Sequence, residues 1–103
     1  MVVDMGLSGK QMRYLRALAH PLQPILQIGK SGVTEQVVDQ IGLALEAREL
    51  IKISVLKNSA VTIEEAAQLI QSMTKAEIVQ TIGRTLIVYR RSQDHRTIVL
   101  PRA

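Results

Sequence analysis

With 103 residues, 47% of them apolar and no Cys, Phe or Trp, the chain has the size of one domain with an aliphatic core, and it excludes disulfides, thiolate metal sites and cysteine catalysis. The formal charge of +4 is unevenly spread: residues 1–34 carry +3, residues 35–77 carry −3 and residues 78–103 carry +4. Basic ends around an acidic middle suit a polyanionic partner, provided that folding joins the ends on one face.

No stretch approaches the ~18 apolar residues of a membrane span, and residues 1–6 lack the basic and apolar regions of a signal peptide. A cytoplasmic, monomeric protein with no membrane contact is expected. Ser8 followed three residues later by Gln11 is a capping-box pattern, which predicts a first helix ending near Ala19. At 100° per residue Met12, Leu15, Leu18 and Ala19 share one arc, and Lys10, Arg13, Arg16 and His20 share the next. The first arc is predicted to be core and the second a basic surface. Pro21 and Pro24 stop the helix. His20 sits at that stop with no second ligand near it, so no metal site is expected.

Pro24–Ile28 is a short apolar run compatible with a buried strand. It leads into Gly29, Lys30, Ser31, Gly32, after which Thr34 is a fair N-cap for a helix to about Arg48 with Val37, Val38, Ile41, Ala44 and Leu45 on its buried face. Leu50–Leu56 reads as a strand, which makes the intervening helix a crossover if the two strands are parallel. Thr62 and Glu65 form a second capping box, for a helix to about Met73. Glu77–Ile82 and Thr85–Arg91 are strand-like runs joined by Gly83 and Arg84, a two-residue hairpin with glycine first. Thr97–Leu100 offers a further edge strand before Pro101. The order αβαβαββ predicts an α/β two-layer sandwich, with three helices on a mixed four-stranded sheet.

The segment Gly29 to Gly32 carries the chemistry. Two glycines permit a sharp turn and close approach of a bulky ligand, the following helix offers free N–H groups and its positive end, and Lys30 puts a charge at the tip. A phosphate is the natural ligand, and in a basic chain a nucleic-acid backbone is the natural source of it. A plain tight turn is the alternative. A nucleotide-binding P-loop would need glycine at position 24, which is Pro24. The only histidines, His20 and His95, form no nucleophile and base pair, so catalytic residues, cofactors and a small-molecule substrate are not expected. A protein adaptor using the acidic middle is the second reading.

Leu7 to Ala19, then His20 and Pro21, Gly29 to Gly32 with Val33 and Thr34, Ile82 and Gly83, and Leu86 to Arg90 together resemble the CRM (chloroplast RNA splicing and ribosome maturation) domain, most of all its single-domain bacterial YhbY-like members. The resemblance runs from about residue 7 to 102 and leaves residues 1–6 as an extension. It implies a fold similar to the C-terminal domain of translation initiation factor three, and a Gly-x-x-Gly loop compared with that of KH domains. It also implies binding to ribosomal RNA in large-subunit precursors. On that resemblance the RNA-binding residues are Gly29, Lys30, Ser31, Gly32 and Thr34 in the loop, Lys10, Arg13 and Arg16 on the first helix, and Arg84, Arg90 and Arg91 near the C-terminus. With only Tyr14 and Tyr89 available for stacking, structured RNA is expected to be preferred over a base sequence. Tyr89 is expected to pack beside a strand with its hydroxyl at the surface.

Overall fold

A computed structural model describes residues 6–103; all but one residue of the expected N-terminal extension lie outside that range. Along the chain come α1 (Gly9–Ala19), β1 (Pro24–Ile28), α2 (Glu35–Arg48), β2 (Leu50–Val55), α3 (Ile63–Thr74), β3 (Glu77–Ile82) and β4 (Thr85–Tyr89), in the order expected.

Local chemistry sets the helix starts. Ser8 Oγ accepts from Gln11 N at 3.1 Å while Gln11 Oε1 accepts from Ser8 N at 3.0 Å. Thr62 and Glu65 make the same reciprocal pair before α3, and Thr34 Oγ1 accepts from Val37 N at 3.1 Å before α2. Each cap satisfies N–H groups that a helix start otherwise leaves without a partner. Pro21 marks the end of α1, but the ends of α2 and α3 carry no such mark in the sequence. Both α2 and α3 stop on residues with positive φ, Glu49 at 67° and Lys75 at 61°, where glycine would be the common choice.

The sheet order is β1-β2-β4-β3, with β1 parallel to β2 and the other pairs antiparallel, so α2 is the crossover expected between parallel strands. Gly83, at φ 56°, opens the two-residue turn that pairs Ile82 with Thr85.

Layering departs from the two-layer expectation. Ile51, Ile53, Val55, Leu86 and Val88 join Ile41, Leu45, Ala66 and Ile70 in a core beneath α2 and α3. Leu50, Ile87 and Tyr89 point the other way and join Leu15 and Ala19 of α1 with Val79. The sheet is therefore buried on both faces. Its signal was the run Leu86, Ile87, Val88, Tyr89, all buried, in which apolar residues do not alternate with polar ones.

Two ends also differ from expectation. Arg90 and Arg91 lie beyond β4 rather than within it, and β2 stops one residue before Leu56. Thr97–Leu100 forms no strand. It is a strap whose Ile98 and Leu100 pack onto the α1-side core. Its backbone is held by a carboxylate instead of a ladder: Thr97 N and Ile98 N donate to Glu49 Oε1 at 2.8 and 2.9 Å.

Candidate nucleic-acid interface

Gly32 N donates to Gly29 O at 2.9 Å and closes a turn whose central residues, Lys30 and Ser31, are exposed. Gly32 is buried at φ 70°, a conformation that strains any side chain. Gly29 takes no positive φ, and a Cβ there would meet Leu56 Cδ1 at an ordinary 3.5 Å, so the fold needs glycine at position 32 more than at 29. The N–H groups of Lys30 and Ser31 make no hydrogen bond among the described residues. They are free to meet an anion.

Three backbone bonds gather other segments around this turn. Leu56 N donates to Ile28 O at 2.9 Å and Ala60 N to Gly29 O at 3.2 Å, which sets the loop bearing Lys57 against it. Val55 N donates to Arg84 O at 2.7 Å and draws in the β3–β4 hairpin. Exposed Lys30, Lys57 and Arg84 thus rim one end of the sheet. Lys57 does not stand out in the sequence, although its place just past a strand parallel to β1 puts it beside the Gly-x-x-Gly turn.

The helix start behind the loop offers less to a phosphate than its position suggests. Val37 N is taken by the half-buried Thr34, whose hydroxyl serves as a cap, and Glu35 lies in the first turn of α2. The start of α3 at the same end carries Glu64 and Glu65. Positive charge at this rim therefore comes chiefly from side chains and loop amides, with the helix dipoles already partly answered by carboxylates.

The remaining candidates lie elsewhere. Lys10 and Arg13 are exposed on the outer side of α1, and half-buried Arg16 flanks the face that buries Leu15 and Ala19. Arg90 and Arg91 follow the far end of β4, whose five residues place them roughly 20 Å or more from Arg84. The two basic ends of the chain do not merge into one patch around the loop. Arg90 is moreover engaged inside the fold. Its Nη1 donates to Thr74 O at 2.8 Å and its Nη2 to Gly42 O at 3.0 Å, tying α2 to the end of α3. These bonds place Arg90 among the residues that hold the fold, with both of its terminal nitrogens engaged.

Among the described residues no lysine or arginine forms an ion pair with a carboxylate. Of the described lysines and arginines only Lys52, Arg90 and Arg96 use their side chains in hydrogen bonds, in each case to backbone carbonyls. Two of the acidic residues are instead turned inward to the C-terminal segment. Glu46 accepts from Gln93 N, Asp94 N and Ser92 Oγ, contacts His95 Nδ1 at 3.6 Å, and is lowered to about 2, first by the Gln93 and Asp94 amides. Burial works against ionisation of Glu49, yet the N–H groups of Ile98, Thr97 and Ser92 outweigh it and hold this carboxyl below its usual range. Both carboxylates stay ionised, and neither is paired directly with a lysine or arginine among the described residues.

Among the described residues no helix is long and apolar enough to cross a membrane, and no cluster of His, Asp and Glu is placed to hold a metal ion.

Comparison with known proteins identifies the family. The model of the CRS1 / YhbY (CRM) domain matches residues 7–90. A Bacillus subtilis relative named "Probable RNA-binding protein YqeI" is 46% identical over 92% of this chain and 99% of its own. A Haemophilus influenzae relative named "RNA-binding protein" is 43% identical over 93% of this chain and 96% of its own. The solution structure of a Staphylococcus aureus protein, 47% identical, superposes with a TM-score of 0.77 over 92% of this chain and 99% of that one. The relatives are named for RNA binding and not for an enzymatic activity. The chain belongs to the CRS1/YhbY (CRM) domain family.

Proposed function

We propose that the protein binds RNA through its phosphate backbone, with the loop rim as the principal contact: the free amides of Lys30 and Ser31 meet one phosphate, and the side chains of Lys30, Lys57 and Arg84 meet its neighbours. The observation that carries this reading is the set of exposed cations with no carboxylate partner gathered at the Gly-x-x-Gly turn. Gly29 and Gly32 shape the turn, and Thr34 starts the helix behind it. Lys10, Arg13, Arg16 and Arg91 add contacts elsewhere on the RNA. Because Tyr89 is buried and Tyr14 stands apart on α1, recognition rests on the backbone and shape of structured RNA rather than on stacked bases. The CRM family likeness supports ribosomal RNA as the target and large-subunit assembly in the cytoplasm as the setting, with the protein acting as a monomer.

The test is affinity for a structured ribosomal RNA fragment. The double substitution K30E/S31E is expected to weaken binding at least tenfold, about 1.4 kcal/mol, with the far-UV circular dichroism unchanged. Unaltered affinity in the folded variant would remove the loop from the function. Crosslinking to RNA in cells, with the attached sites mapped, tests the choice of ribosomal RNA.

A further inference from the structure

At the end of the sheet away from the loop rim, the C-terminal strap, the N-terminal end of α1 and the starts of β3 and the segment after β4 enclose a groove of about 730 Å³. Four cations line it, Lys75, Arg90, Arg91 and Arg96, against one acid, Glu77. Lys75 and Arg91 are exposed and make no side-chain hydrogen bond or ion pair among the described residues. Arg96 is held at its Nε by Ser92 O at 2.9 Å, which fixes the guanidinium and leaves its terminal nitrogens free. Two further carboxylates, Glu46 and Glu49, already accept backbone N–H groups from the C-terminal segment. Tyr89 forms part of the wall, and burial together with Glu49 keeps its hydroxyl protonated as a donor, against the pull of Arg91 and Arg96.

This positive region continues along α1. Gln11 lines the groove, and Lys10, Arg13 and Arg16 follow along the same helix. It does not continue to the loop rim. On the α1 side of the sheet the intervening positions are Gln27, Ser54 and Thr85, which are uncharged, and Lys52, whose Nζ is engaged by His20 O and Leu22 O. Two basic surfaces are thus separated by a strip whose one cation, Lys52, is bound to backbone carbonyls, on a molecule 39 Å long.

We propose that the groove and the basic face of α1 form a second RNA-backbone site, loaded independently of the loop rim, so that one protein molecule holds two RNA segments together. The inference rests on the proposed reading of the loop rim as the first site. Cations set in place by the fold and surrounded by already satisfied carboxylates bind a phosphodiester chain without having to break internal ion pairs. A protein with two such sites lowers the entropic cost of bringing two RNA elements side by side, because the second contact forms within a single complex.

The experiment uses the full chain and two copies of one short RNA hairpin, labelled with a donor and an acceptor dye. At protein concentrations well above the dissociation constant, saturation at two hairpins per protein with energy transfer between the dyes is expected. The substitution K75E, at a groove cation that the loop-rim reading does not use, is expected to weaken the second equivalent at least tenfold and abolish transfer while the first equivalent still binds. Saturation at one hairpin without transfer, or a K75E variant that takes up two as readily as the parent, would overturn the proposal. The two readings fail separately. A single equivalent that K30E/S31E abolishes leaves the loop rim standing and removes the second site. Two equivalents untouched by K30E/S31E remove the loop rim instead.

Discussion

The two ends of the sheet use charged residues in opposite ways. At the loop end Lys30, Lys57 and Arg84 reach into solvent with no side-chain partner among the described residues. At the far end Glu46, Glu49 and Arg90 are bound to backbone groups of distant segments, across 43 residues between Ser92 and Glu49 and 48 between Arg90 and Gly42. A count of charges along the chain does not separate a side chain held for a ligand from one that replaces a missing piece of secondary structure. Substitution of the charges bound to the backbone at the far end should therefore cost stability, and substitution of the exposed cations at the rim should cost affinity.

Glu49→Ala should have the largest effect. It removes a buried acceptor from Ser92 N, Thr97 N and Ile98 N together, so a loss of about 3 kcal/mol is expected in urea unfolding, with release of the strap. Arg90→Leu comes next at about 2 kcal/mol, since two carbonyls lose a charged donor. RNA affinity of the folded Arg90→Leu protein should stay within about twofold of the parent, a change under about 0.5 kcal/mol. A large fall in affinity there would restore Arg90 to the RNA surface. At the loop end Gly32→Ala should destabilise by about 1 kcal/mol, the cost of a left-handed backbone for a residue with a Cβ.

The smallest expected effect is on pH dependence. Glu46 falls from an ordinary 4.5 to about 2 in the folded chain, so the unfolded state binds its proton first. Its contribution is fully present above pH 4.5 and is lost as pH falls toward 2. Glu46→Gln should accordingly flatten the decline in stability across that interval. An unchanged acid limb would mean that the Gln93 and Asp94 amides do not hold the carboxylate in solution.

The contrast between the two ends also separates what the sequence reveals from what only the fold does. Both capping boxes, the Thr34 cap, the strand before the loop and the Gly83 hairpin are legible because each depends on residues no more than three apart. The strap is not. Thr97–Leu100 has strand-like composition, but the partner of its N–H groups is a side chain 48 residues away. Arg90 and Arg91 look alike as neighbouring cations after a strand, and only the position of the α2 and α3 carbonyls tells them apart. Lys57 and Lys75 escape notice because each stands alone in sequence, one beside the loop only through parallel pairing and the other at the groove only through the end of α3. Placement of α1 on the opposite face is foreshadowed by the unbroken apolar run of β4, which needs cover on both sides.

If RNA seats on the Gly-x-x-Gly rim, backbone amide chemical shifts during titration with a structured RNA fragment will show it most directly. The expected result is that the Lys30 and Ser31 amides rank among the most strongly shifted, accompanied by residues around Lys57 and Arg84. Saturating RNA that leaves those amides unmoved while other parts of the protein shift would contradict it.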